Sequence, residues 1–292
     1  MYLREGEGNI MDNRYVTKLA NRNEMNFAIE LAASEGWNPG LHDADCFYAA
    51  DNDGFFVGML DDEPIACLSA VKYSDSFGFI GLYIVREPHR GKGYGIKLWD
   101  AGMNYLRGCN IGLDGVVTQQ RNYRKSGFQP AHRNIRYKGR TGGQFPNDSG
   151  LIELAEIPFA EINRYDSAFF PADRTAFLKS WISQPCGAAL GIVQSGQLVA
   201  CGVIRACLEG YKIAPLFAND PGLAETLFLG LNAKVKTDLP VFLDVPEKNS
   251  NALALARRFE MQAVFETARM YTRQMPNLDY ERLYGITSFE LG

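Results

Sequence analysis

The chain has 292 residues, 46% of them hydrophobic, and a formal net charge of −4. That length and apolar content allow two packed domains, and the acidic balance argues against nucleic acid as a partner, which would require a strongly basic surface. No apolar run is long enough to span a bilayer and the first ten residues lack the apolar core of a signal peptide, so no membrane partner and a cytoplasmic location are expected.

Residues 1–10 carry no periodic pattern, which makes Met11 an alternative start. A strand is predicted at Tyr15–Leu19 and a helix at Glu24–Ser34, with Asn23 as its cap. Trp37-Asn38-Pro39-Gly40 stops that helix, and Asp43 and Asp45 follow in an apparent loop. Phe55–Leu60 and Ile65–Lys72 are strand-like and joined by the acidic turn Asp61-Asp62-Glu63-Pro64, a hairpin signal. A third strand, Phe77–Val85, contains Gly78 and Gly81, which mark a bulge or a bend. It leads into Arg90-Gly91-Lys92-Gly93-Tyr94-Gly95 and then a helix carrying Ile96, Leu98, Trp99, Met103, Tyr105 and Leu106, most of which the spacing places on one buried face. A strand at Ile111–Val117, a short helix around Tyr123 and a strand ending near Tyr137 complete the first half.

Gly139–Gly150, rich in Gly, Asn and Pro, reads as a linker between domains at 11–138 and 151–292. Beyond it the order repeats. Ala189–Val193 and Leu198–Cys207 flank a hairpin signal, Tyr211–Phe217 is a third strand, and Leu223–Val235 a helix. Val241–Val245 leads to a helix at Asn251–Phe259 and a last strand through Tyr271. The fold class is therefore α/β, with a mixed antiparallel and parallel sheet flanked by helices in each of two tandem copies. Three histidines and six cysteines, Cys46, Cys67, Cys109, Cys186, Cys201 and Cys207, without Cys-x-x-Cys spacing, point to buried thiols rather than a metal site or disulfides.

The glycine-rich stretch after Val85 carries the chemistry. A strand-to-helix turn of small residues aims several backbone N–H groups and the positive end of a helix at one point, which suits a phosphate. A nucleotide P-loop is excluded because neither Gly-Lys-Ser nor Gly-Lys-Thr occurs. A dinucleotide fingerprint fails in its third glycine, which falls on Ile96 or Leu98, although Asp114 lies at a suitable distance downstream. The remaining pattern, Arg-x-x-Gly-x-Gly at Arg90, Gly93 and Gly95, resembles the pyrophosphate loop of the GNAT superfamily of acyl-CoA N-acyltransferases. The segment Tyr123-Arg124-Lys125-Ser126-Gly127-Phe128 resembles the tyrosine segment of the same superfamily.

The resemblance implies tandem GNAT-like folds binding acetyl-CoA (coenzyme A) in the first copy only. The second copy has Phe217-Ala-Asn-Asp-Pro-Gly222 in place of the loop and Ala256 in place of Tyr123. By the resemblance, backbone groups of Arg90, Gly91, Lys92, Gly93, Tyr94, Gly95 and Ile96 would hold the pyrophosphate. A splayed strand at Leu82, Tyr83, Ile84 and Val85 would pair with the pantetheine arm and polarise the thioester. Tyr123 would protonate the departing thiolate. An Asn common in such families seven residues before the tyrosine is Val116 here, so Gln119 or Asn122 would contact the pantetheine instead. For the general base, Tyr83, the acids Asp43 and Asp45, or a water chain ending at an acid remain open. Trp37 and Asn38 are candidate walls of an acceptor pocket, to which Asp244, Glu247 and Asn249 could add anionic and polar contacts. The function implied is an N-acetyltransferase acting on a small-molecule primary amine in a ternary complex, as a monomer or homodimer. An acyl-CoA sensor or inactive scaffold is the alternative.

Overall fold

The computed structural model describes residues 15–147 and 150–292; the start expected at Met11 lies outside the described residues. The first half runs β1 (Tyr15–Leu19), α1 (Glu24–Ser34), α2 (Asp43–Ala50), β2 (Phe55–Leu60), β3 (Glu63–Lys72), β4 (Phe77–Val85), α3 (Tyr94–Tyr105), β5 (Asn110–Val116), α4 (Gln120–Lys125) and β6 (Gln129–Arg140). The second half runs β7 (Leu151–Glu153), α5 (Phe159–Asp166), α6 (Thr175–Trp181), β8 (Gly187–Gln194), β9 (Gln197–Ala206), β10 (Tyr211–Ala218), α7 (Pro221–Ala233), β11 (Pro240–Pro246), α8 (Ser250–Arg258), β12 (Gln262–Tyr271) and β13 (Leu283–Gly285).

The duplicated order is present, but the two copies are not separable units. All thirteen strands join one sheet in the order β1-β2-β3-β4-β5-β12-β6-β11-β10-β9-β8-β7, with β13 on β10. Among the described residues only β4 with β5 and β10 with β11 pair in parallel. Strand β12 of the second half lies between β5 and β6, and β6 of the first half pairs with β11. Each half thus completes its sheet with a strand from the other. The expected boundary at residues 138 and 139 falls inside β6, so Gly139 and Arg140 are strand residues rather than linker.

Local sequence chemistry accounts for the elements that lead to the cleft. Helix α1 starts at Glu24 as expected, but the capping side chain lies two residues before the expected one: Asn21 Oδ1 accepts from the N–H groups of Asn23 and Glu24, while the Glu24 carboxylate accepts from the Asn21 N–H. Asn23 makes no side-chain cap. Helix α3 buries Leu98, Trp99 and Gly102, and an added Cβ at Gly102 would stand 2.5 Å from Leu68. Asp43 and Asp45 open helix α2 rather than lying in a loop, placing negative charge in its first turn.

Strands β4 and β5 pair from Phe77↔Asn110 to Ile80↔Leu113 and then part. Where they part, β4 carries one extra residue: Cys67 faces Ile84 and Ser69 faces Gly81, so Leu68 opposes both Leu82 and Tyr83. Leu82 has a φ of 44°, the strain expected at such a bulge. Strands β10 and β11 part in the same way after Ile213↔Leu243, but there β13 fills the wedge, pairing with Leu216 and Phe217 while the Ile286 N–H donates to Asp244 O at 2.9 Å.

Buried ion pairs tie the halves together. Asp43 on α2 receives Arg205 of β9 at 2.8 and 3.1 Å, and Asp114 of β5 receives Arg269 of β12 at 3.0 Å. Burial opposes ionisation of Asp43, yet the Arg205 guanidinium outweighs it and holds the carboxyl below the usual range. This contribution to stability is therefore present at neutral pH and is lost as the pH falls through that lowered value. Five of the six cysteines are buried as expected and Cys186 is exposed; all are free thiols. Among the described residues no helix is long and apolar enough to cross a membrane.

Because the sheet is shared, unfolding should be a single cooperative transition by calorimetry; two transitions, one per half, would contradict the strand exchange. Asp43→Ala leaves Arg205 buried without its carboxylate and should lower stability by about 3–5 kcal/mol in urea titrations, most of which Arg205→Met added to it should recover.

Candidate active site

The parting of β4 and β5 opens a cleft of about 710 Å³. Its floor is Gly81 to Val85, one end is the turn into α3, one side is α4, and the far wall comes from the second half and from β6. All the residues expected around the donor line it except Lys92 and Tyr94. Tyr94 is instead buried, its ring stacked on Tyr15 with centroids 4.8 Å apart, which anchors α3. Lys92 is exposed at the rim.

Gly91 and Gly93 adopt φ values of 73° and 82°, and Gly93 is the residue that opens α3. An L side chain is disfavoured in that conformation, which is the physical reason for glycine here. Among the described residues the N–H groups of Gly91, Lys92, Gly93, Gly95 and Ile96 have no acceptor. They form an anion-binding concavity at a helix N-terminus. The equivalent helix in the second half, α7, differs: Asp220 caps it, its carboxylate accepting from the Leu223 N–H at 2.9 Å. That end already holds its anion. Arg90 does not extend toward the concavity, because its guanidinium donates to Val85 O at 2.8 Å and pairs with Glu35.

Tyr123 sits on α4, and the spacing of its segment is a helix-ending motif. The Phe128 N–H donates to Tyr123 O and the Gly127 N–H to Arg124 O, with Gly127 at φ 89°. This is the Schellman arrangement, including the contact between Tyr123 and Phe128, whose rings lie 6.5 Å apart. Gly115 makes room for the phenol: a Cβ there would stand 2.3 Å from the Tyr123 ring. Gly95 does the same for Tyr83, whose hydroxyl would be 2.6 Å from an added Cβ. Trp99 lies between the two tyrosines, 5.2 Å from Tyr83 and 5.7 Å from Tyr123 by ring centroids. Asn122 donates to Gln119 at 2.6 Å, and both line the cleft beside Val116.

Burial, and then the neighbouring Tyr83, push the Tyr123 phenol up to about 12. Burial, and then Tyr15 and Asp100, push Tyr83 up to about 12 as well. At pH 7 such a phenol is ionised in roughly one molecule in 10⁵. Both phenols are therefore neutral at pH 7, so that Tyr123 has a proton to give and Tyr83 would have to lose its own before it could accept one.

The acceptor side departs from expectation. Trp37 lines the cleft. Asn38 does not: its side chain exchanges hydrogen bonds with the Glu209 backbone at 2.8 and 2.9 Å, closing a loop of the second half. Asp43 is committed to Arg205, and Asp45 pairs with Arg22 on the surface. Asp244 is buried against Arg136, accepting two bonds of 2.7 Å. Glu247 pairs with Arg133, and Asn249 caps α8. In their place the wall holds Arg136 of β6, Phe265 and Thr267 of β12, and Phe289 and Glu290 of the segment after β13. The Arg136 guanidinium lies 4.7 Å from the Phe289 ring centroid and donates to Trp37 O at 2.7 Å. Asp114 also reaches the cleft, paired with Arg269 and so unavailable as the ribose ligand of a dinucleotide site.

With this geometry in place, known proteins show what it is shared with. Residues 22–128 match the acetyltransferase (GNAT) family, and residues 162–285 match an acetyltransferase (GNAT) domain. Holothin acyltransferase from Pseudoalteromonas sp. (strain SANK 73390) is 30% identical over 279 residues, covering 95% of both chains. A putative acetyltransferase from Pyrococcus horikoshii superposes with a TM-score of 0.81 at 21% identity, over 99% of this chain and 100% of that one. A tandem GNAT protein from the clavulanic acid biosynthesis pathway aligns with a TM-score of 0.60 at 9% identity, over 90% and 100% of the two chains. Similarity along the full length of an acyltransferase, with a GNAT match in each half, shows that the chain belongs to the GNAT acyltransferase family as a two-domain member.

Proposed function

We infer that the protein transfers an acetyl group from acetyl-CoA to a primary amine of a small molecule, with both substrates bound together. The observation that carries this reading is the juxtaposition in one cleft of the unpaired N–H groups at the start of α3, the unpaired edge of β4 and the protonated Tyr123. A coenzyme A thioester supplies an activated acyl carbon and a sulfur leaving group. The concavity from Gly91 to Ile96 fits its diphosphate, which needs several N–H donors and a helix dipole. Beyond Ile80 the β4 backbone lacks a β5 partner and offers donors to an extended arm and to the carbonyl oxygen that gains charge. Tyr123 protonates the sulfur as the bond to carbon breaks. The relative named for acylating holothin supports acyl transfer by a chain built this way throughout its length.

In calorimetry acetyl-CoA should bind at micromolar concentration or tighter, and no heat at that level removes the reading. Gly93→Val forces a β-branched residue to φ 82° and should weaken that binding about tenfold while the fold persists by circular dichroism. Tyr123→Phe should lower kcat about 100-fold with the donor Kd within twofold, the pattern of a lost acid. Because the Tyr123 phenol titrates near 12, its role is lost only as the pH rises through that value, so turnover should show no alkaline decline from this group below about pH 10.

A further inference from the structure

We propose that Glu290, brought in by residues 286–292, binds the acceptor amine and takes its proton. The proposal rests on the acyl-transfer reading above and assigns the proton acceptor to a carboxylate rather than to the phenol of Tyr83.

Among the described residues three carboxylates line the cleft: Glu35, Asp114 and Glu290. Glu35 is paired with Arg90 and Asp114 with Arg269. Glu290 has no ion-pair partner among the described residues, although it is only 5% exposed. Two cations that feel its charge, Arg136 and Arg205, are already paired, with Asp244 and Asp43. A carboxylate buried without a counter-ion beside an apolar wall of Trp37, Phe265 and Phe289 favours a ligand that brings a positive or proton-donating nitrogen on an apolar body.

The carboxylate is also oriented. Ser288 Oγ accepts from the N–H groups of Glu290 and Leu291 at 2.9 and 3.2 Å, which leaves its own proton to donate to Glu290 Oε2 at 2.6 Å. Glu290 Oε1 carries no hydrogen bond among the described residues and is not a sealed atom. The backbone around it is fixed: Ser69 donates to Glu290 O at 3.3 Å, Tyr73 to Leu291 O at 3.0 Å, and Arg174 to Gly292 O at 3.3 Å. A Cβ on Gly81 would stand 2.1 Å from Glu290 O, so Glu290 lies against the residue that precedes the β4 bulge. That position is beside the unpaired edge assigned to the thioester.

In the reaction the amine lone pair forms the bond to the acyl carbon, and the nitrogen proton passes to Glu290 Oε1. The carbon–sulfur bond breaks, its electron pair stays on sulfur, and sulfur takes the proton of Tyr123. Exchange with solvent then returns Glu290 to carboxylate and Tyr123 to phenol.

The test uses the full chain, acetyl-CoA and three probe amines with apolar bodies: phenethylamine, tyramine and tryptamine, followed by thiol release. Glu290→Gln should lower kcat about 100-fold while coenzyme A binding by calorimetry stays within twofold. Glu290→Ala should recover at least about tenfold on addition of formate, which replaces a missing proton acceptor but not a missing scaffold. Turnover of Glu290→Gln within threefold of the parent overturns the proposal alone. Loss of coenzyme A binding in Glu290→Gln, or loss of turnover without formate rescue, assigns a structural role and also overturns it. No turnover by the parent protein with any probe, despite coenzyme A binding, removes the acyl-transfer reading and this proposal with it.

Discussion

Strand β12 lies between β5 and β6, so the hydrogen bonds that complete the first half's sheet come from residues more than a hundred positions away. This exchange is the constraint from which the site follows. It places Phe265 and Thr267 opposite the wedge between β4 and β5, and it holds Arg136 where its guanidinium reaches Trp37. It also makes each half an unsatisfied sheet edge without the other, and an unpaired edge in an apolar setting is unfavourable.

Charge is distributed accordingly. The seams are crossed by buried pairs, Asp43 with Arg205 and Asp114 with Arg269, each worth less for net stability than for specifying which segments meet. Lys212, buried and donating to Asn38 O at 3.1 Å, adds to this positive interior; burial and then the neighbouring Arg136 lower its pKa. Carboxylates near the cleft are consumed in these pairings. The rule behind this is that a buried charge persists only where a partner meets it, which makes a carboxylate without one informative about a missing ligand.

The parts of the fold written in short-range pattern were legible in the sequence. The hairpin β2–β3, the strand β4 and the amphipathic α3 follow from period and turn chemistry within a few residues. The end of the cleft proposed above for the donor has local signals too: glycines at Gly91 and Gly93 meet a conformational demand of their own turn, and the Tyr123–Phe128 spacing is that of a local helix stop. The end proposed for the acceptor has none. Asp43 reads as a solvated loop acid until Arg205, 162 residues on, is brought against it. Asp244 and Asn38 likewise reach partners 108 and 171 residues away. Phe289 and Glu290 follow no periodic element, and nothing near them in the chain signals that they are buried.

The wedge between β10 and β11 is filled by β13, and the helix beyond it begins on its own aspartate. The wedge of the second half thus serves as packing, where that of the first half is open. In the assignment proposed above, the thioester grip lies before residue 130, while the acceptor wall draws Phe265, Thr267, Phe289 and Glu290 from the second half and Trp37 and Arg136 from the first. A change of acceptor can then be reached mostly through second-half side chains, provided that β12 keeps the pairing that holds the first half's sheet together.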